Sequence, residues 1–307
     1  LEASIMALAL QLCFNMPLTV AYLISALVVI PLVTHGITLI NRFQAWTQPL
    51  WLLLLVTPYI FVFARSPELV GELKQYVGQG SAGFDLLMFG AAASLVLSMV
   101  LQVGEQIDFL RFLPKKTREN RKSWIASLLI AGPGWIGFGA LRMLGGALLA
   151  FVAVKAMVPA HNAMEPATMY LTAFGFVFDS PQLALIAMTL LVVLSQLKIN
   201  TTNAYAGSLA WSNFFARVTH SHPGRVVWVV FNVLIALLLM QLGVFAALQK
   251  VLGLYSNIAI AWVGALVADL VINKPLGLSP KGIEFKRAHL YDINPVGVGS
   301  MVIASLI

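Results

Sequence analysis

The sequence predicts an all-α polytopic membrane protein, and three observations carry that prediction. Sixty per cent of the 307 residues are hydrophobic and only 10% are charged, against about 25% charge in an ordinary soluble domain. Apolar runs near the ~20 residues needed to cross a bilayer recur along the chain. The cations between those runs alternate between dense and sparse loops, the pattern of a fixed orientation in a membrane. Together these exclude a soluble globular enzyme. The net charge of +7 gives no nucleic-acid signal, because it is spread over short loops between apolar segments. A single cysteine, Cys13, excludes a disulfide or a cysteine-based metal cluster within this chain.

Seven segments reach or approach spanning length, at roughly 16–37, 46–64, 84–104, 125–157, 182–214, 227–246 and 252–272. Two shorter apolar segments, 1–13 and 294–307, flank them, which predicts nine helices, the first and last incomplete. A chain that starts and stops inside apolar segments is expected to be a fragment of a longer protein. The connection 65–84 is expected to hold a short surface helix ending in a Gly-rich turn. The connection 158–181, with Pro159, Pro166 and Pro181 around an apolar stretch, suits a helix lying on the membrane surface. Segment 125–157 is too long for one perpendicular span, and Gly132-Pro133-Gly134 should kink or tilt it.

Loops 36–46, 108–124, 215–226 and 273–293 hold thirteen of the nineteen Lys and Arg residues and are predicted to be cytoplasmic. The opposite loops hold Arg65, Lys74, Lys155 and Lys250. The chain is therefore expected to lie in an inner (cytoplasmic) or plasma membrane, with the lipid bilayer as its partner. Two cations, Arg142 and Lys198, fall inside helices.

The run Lys198-Ile199-Asn200-Thr201-Thr202-Asn203 is the most informative stretch. Lys198 lies about sixteen residues into its helix, roughly 24 Å at 1.5 Å per residue. A lysine stem snorkels only a few ångströms, so its ammonium needs a partner or water within the protein. At about 100° per residue, Gln196, Asn200, Asn203 and Gly207 share one stripe, while Ser195, Lys198 and Thr202 form another. Two separate polar faces suit a solute cavity on one side and an ion position on the other. An asparagine amide, with one acceptor and two donors in a plane, matches the edge of an amide or heterocycle.

At these residues the chain resembles the nucleobase–cation symporter family, the permeases for cytosine, purines, uracil, thiamine, allantoin and hydantoins. The likeness rests on Gly36-Ile37 with Arg42-Phe43 and Pro49, and on Asp108-Phe109-Leu110-Arg111-Phe112. It continues in Asn203-Ala204-Tyr205-Ala206-Gly207-Ser208-Leu209 with Ser212-Asn213, and in Ala268-Asp269-Leu270. The resemblance implies a LeuT-like fold of two inverted five-helix repeats, incomplete at both ends. Residues 1–64 would close the first repeat as helices three to five. Residues 84–272 would form the second as helices six to ten, and 294–307 would begin helix eleven.

The resemblance also implies roles. Asn203 would bind the solute, with Gln196 and Asn200 on its stripe and Ser98 and Gln102 lining the path from the sixth helix. Sodium-coupled relatives carry a Ser-Thr pair five to six positions before that asparagine, where this chain has Leu197 and Lys198. A cation about 4 Å from a fixed ammonium is repelled by roughly 4 kcal/mol at an effective dielectric of 20. The expectation is therefore no sodium at that position. Lys198 would act as a permanent tethered cation or as a group that gains and loses a proton. Relatives often stack the ligand on a sixth-helix aromatic, and none lies between Gly90 and Ile107.

Glu105, Asp108 and Arg142 are candidate gate or ion-pair residues: Asp108 as a cap, Glu105 as a cap or a proton carrier. Arg142 is expected to pair with an acid in absent segments, reach a vestibule, or bind an anionic solute. No P-loop, dinucleotide turn, nucleophile elbow or metal tetrad is present, so no enzyme activity and no cofactor are expected. The expected function is a secondary transporter for a small, planar, nitrogen-containing solute. The alternative is a transporter-like receptor that binds such a solute and signals through an appended cytoplasmic module.

Overall fold

Apolar runs in lipid must satisfy their backbone groups internally, which leaves helices as the form these segments can take. In the computed structural model the described residues are 2–77, 83–98, 106, 109–221, 223–243, 245–283, 286 and 293–306, with backbone alone for 94, 95, 98 and 245–254. Among them all regular structure is helical. The chain begins with α1 (Glu2–Phe14), α2 (Leu18–Leu27), α3 (Val29–Thr34) and α4 (Ile37–Arg65). Then come α5 (Glu68–Gln75), α6 (Leu86–Ser98), α7 (Arg121–Ala131) and α8 (Gly134–Lys155). The short α9 (Ala160–Ala163) and α10 (Pro166–Phe174) lead into α11 (Pro181–Thr219). The chain closes with α12 (Arg225–Gln241), α13 (Phe245–Val267), a π-helical turn Ala268–Asn273, and α14 (Pro295–Leu306).

Among the described residues four stretches are long and apolar enough to cross a membrane: Ile37–Arg65, Arg121–Lys155, Pro181–Thr219 and Tyr255–Asn273. The segment expected at 16–37 is helical but divided between α2 and α3, and α13 starts earlier than expected, so Lys250 lies within it. Both connections hold helices as expected, α5 in 65–84 and the pair α9 and α10 in 158–181, although α10 buries Ala167, Ala173 and Phe174 in the core. The Gly-rich turn beyond α5 lies largely outside the described residues. The expected break falls at Gly132: a Cβ there would come 2.7 Å from the Leu128 carbonyl oxygen, so only glycine fits as the chain turns from α7 into α8.

The chain divides into two compact units, Leu1–Tyr76 with Ile136–Phe245 and Val77–Trp135 with Ala246–Ile307. In the first unit α11 is the central element, packed against α1, α3, α4, α10 and α12. Its 39 residues extend roughly 58 Å, about twice the apolar thickness of a bilayer. Ala184, Ala187 and Met188 on α11 meet Ala9 of α1 and Ala167 and Phe174 of α10. Small residues here let backbones approach closely, the usual source of packing between helices in lipid. A second cluster joins Leu148, Leu149 and Val152 of α8 to Val62 of α4, Leu69 of α5 and Ala173 of α10. The Lys155–Glu72 pair at 2.7 Å ties α5 to the end of α8.

Tyr59 and Gly145 are matched in that second cluster. A Cβ at Gly145 would lie 2.7 Å from the Tyr59 hydroxyl, which is hydrogen-bonded to Tyr170. Gly145→Ala is expected to destabilise the fold by about 1–3 kcal/mol through overpacking. Adding Tyr59→Phe should restore much of that loss in a detergent thermal-unfolding assay. Failure of the second change to rescue would show that the hydroxyl is not the obstacle.

The second unit holds α6, α7, α13 and α14. Its π-helical turn carries Asp269, which pairs with Lys274 at 3.3 Å and fits a helix-end role.

Candidate functional site

The polar run on α11 faces two ways. On one side α4 presents Gln44, Thr47 and Trp51, spaced three and four residues apart and so on one stripe. Against it α11 presents Ser195 and Lys198. The Lys198 ammonium donates to the Gln44 carbonyl at 2.8 Å and to the Thr47 hydroxyl at 3.1 Å. Gln44 Nε2 donates back to the Lys198 carbonyl at 2.9 Å. Thr201 Oγ1 donates to that same carbonyl at 2.8 Å, filling its second lone pair. The Thr47 hydroxyl passes its proton to the Phe43 carbonyl at 2.6 Å, leaving lone pairs for the ammonium.

One turn along, Trp51 Nε1 donates to Ser195 Oγ at 2.8 Å, and its ring lies 5.9 Å from the Lys198 nitrogen. Gln44 meets Lys198 while Trp51 meets Ser195, so the two helices run antiparallel along this seam. Lys198 is buried at 9% exposure. No carboxylate pairs with it among the described residues. Its charge is held by one carbonyl, one hydroxyl and an aromatic face, all from a single neighbouring helix.

On the other stripe the polar groups are not satisfied. Gln196 Oε1 and Asn200 Nδ2 are both buried without a hydrogen-bond partner among the described residues. They stand one helical turn apart and present an acceptor and a donor on the same face. Asn203, next on that stripe, is half-buried. The stripe closes at Gly207, where a Cβ would come 3.3 Å from the Asn232 amide of α12. That amide in turn accepts from Trp211 Nε1 at 3.2 Å. Gly207 therefore belongs to a helix contact, and the unpaired atoms on this stripe are those of Gln196 and Asn200.

Arg142 is exposed on α8, and its charge acts on Glu2, Tyr59 and Tyr170. Glu2 of α1 is a carboxylate of this chain within its electrostatic reach. Burial first, and then the Tyr59 hydroxyl, push the Tyr170 phenol up, so it is a neutral hydrogen-bonding group. Ser98 ends α6 in the second unit, and its side chain lies outside the described residues. Gln102, Glu105 and Asp108 lie outside them entirely.

Sequence reasoning missed Gln44, Thr47 and Trp51. Gln44 falls in the stretch 36–46 expected to be a loop, but α4 is already helical from Ile37, which puts Gln44 on one stripe with Thr47 and Trp51. No family model, curated protein or solved structure matches this chain.

Proposed function

We propose that this chain is the core of a secondary transporter that moves a small, planar, nitrogen-containing solute, of the nucleobase, allantoin or hydantoin kind, by alternating access. The observation that carries the reading is the unpaired buried pair, Gln196 Oε1 and Asn200 Nδ2, on a helix long and apolar enough to span the membrane. A buried amide without partners costs about 1–3 kcal/mol, and a ligand with an N–H and a C=O on one edge relieves that cost. Asn203 completes the solute face. A LeuT-like arrangement of inverted repeats is the fold that goes with this reading, and the sequence resemblance supports it.

In the mechanism that follows, Lys198 supplies a positive charge fixed to α4 at the depth where related carriers hold a metal cation. The solute is bound and released without sodium there. A proton on Lys198 is the group available for coupling, and otherwise the carrier works as a uniporter. Arg142, whose charge reaches Glu2, would serve as a gate or ion-pair residue. The loops rich in Lys and Arg face the cytoplasm in this reading.

A thermal-shift screen of the purified protein over nucleobases, hydantoins, allantoin and related vitamins tests the proposal. A solute that stabilises the protein is expected. Asn203→Ala should abolish the shift while leaving unfolding of the empty protein nearly unchanged. An unchanged ligand shift in that variant removes Asn203 from the site.

A further inference from the structure

In the second unit, the loop leading into α7 is folded rather than slack. Trp124 Nε1 donates to the Pro114 carbonyl at 2.9 Å, closing a ten-residue span. Inside it Asn120 Nδ2 donates to the Lys115 carbonyl at 2.9 Å. The Thr117 backbone donates to Asn120 Oδ1 at 2.7 Å, and the Asn120 backbone donates to Thr117 Oγ1 at 3.2 Å. Ser123 Oγ donates to the Asn120 carbonyl at 3.0 Å. The Asn120 side chain is spent on the loop and not on capping α7.

This framework displays Lys115, Lys116, Arg118, Arg121 and Lys122, all exposed, against the single acid Glu119. None of the five forms an ion pair among the described residues, and Lys116 rests 5.2 Å from the Trp124 ring. Arg121 and Lys122 sit in the first turn of α7, the end of a helix that disfavours positive charge. Loop charge that only fixes orientation needs no folded loop and no cations at that end. Something negative outside the chain accounts for both. The stretch Arg121–Lys155 is long and apolar enough to cross the membrane, so the cations stand within a turn or two of where the apolar stretch begins. The Trp124 indole lies among them, as tryptophan does at the headgroup level.

We infer that residues 115–124 form a binding site for the phosphate of an anionic lipid headgroup, with Lys115, Lys116, Arg118, Arg121 and Lys122 as its donors and Asn120 as its organiser. The inference is independent of the solute reading above. It is tested on the purified protein reconstituted in nanodiscs of equal phosphatidylglycerol and phosphatidylcholine, released into mild detergent, with retained lipids counted by native mass spectrometry.

Several-fold enrichment of phosphatidylglycerol is expected. It should vanish when the five cations are changed to Gln, and it should weaken in Asn120→Ala, which keeps every charge and opens the loop. The pair Lys115→Gln and Lys116→Gln, both outside α7, gives a second reading if the fivefold variant folds poorly. Enrichment unchanged in the Gln variants overturns the site, and enrichment unchanged in Asn120→Ala overturns its being built by the loop. Displacement of the lipid by inorganic phosphate, but not by chloride of equal ionic strength, would make it a site for free phosphate and also overturn the proposal.

Discussion

Replacing Gln196 by Met and Asn200 by Leu is expected to make the protein more stable and unable to hold its solute. Both amides carry a buried atom with no partner, and each such group costs about 1–3 kcal/mol. Met and Leu keep similar volume, favour helix and bring no polar atom. The paired variant should therefore unfold later than the native chain, by a free energy on the order of 1 kcal/mol or more per site. Removing two hydrogen bonds at about 1–1.5 kcal/mol each should weaken solute binding by roughly 30–150-fold. Opposite signs for stability and binding distinguish a ligand face from ordinary packing. A variant that is both less stable and still able to bind would show that these amides are structural.

The seam between α4 and α11 should respond in the contrary way. Thr47→Val removes one of the two oxygen acceptors from the buried Lys198 ammonium and is expected to cost about 1.5–3 kcal/mol, the range for a hydrogen bond to a charged group. Lys198→Met removes the charge itself, so Thr47→Val in that background should cost well under 1 kcal/mol. Trp51→Phe, which loses only the neutral bond to Ser195, should cost about 0.6 kcal/mol, typical between helices in lipid. Unfolding of the single and paired variants in one detergent measures the coupling. Strict additivity of Thr47→Val and Lys198→Met would mean that the ammonium does not depend on α4.

The fold class was legible because lipid leaves a chain few options. Length and hydropathy locate helices when every backbone group must be satisfied internally, and the helices cover the apolar runs, though α4 begins at Ile37 and α11 continues to Thr219, inside stretches expected to be loops. The break at Gly132 was legible for a local reason, since Gly-Pro-Gly cannot continue a helix. The division of 16–37 into α2 and α3 was missed. Its signal is Pro31, which has no N–H to bond back to the Leu27 carbonyl and so ends α2 there.

At the site, the two stripes of α11 followed from helical geometry alone, and Ser195 and Lys198 of one stripe bond to α4. Lys198 turns to α4, while Gln196 and Asn200 turn elsewhere. The partners of Lys198 could not be read the same way, because Gln44 contributes a backbone carbonyl, which carries no sequence signature. Glu2 near Arg142 was missed for a further reason. It stands at the first described turn of α1, 140 residues from Arg142, a separation at which no spacing rule applies.

On the proposed function, Lys198 occupies the position at which the sodium-coupled carriers this sequence resembles place a metal cation, so the solute would cross without sodium. The direct measurement is uptake of the solute identified by the thermal-shift screen into proteoliposomes, with sodium replaced in turn by potassium and by choline. Saturable uptake at the same rate in all three media is the predicted result. Uptake that requires sodium in the native sequence would contradict the claim.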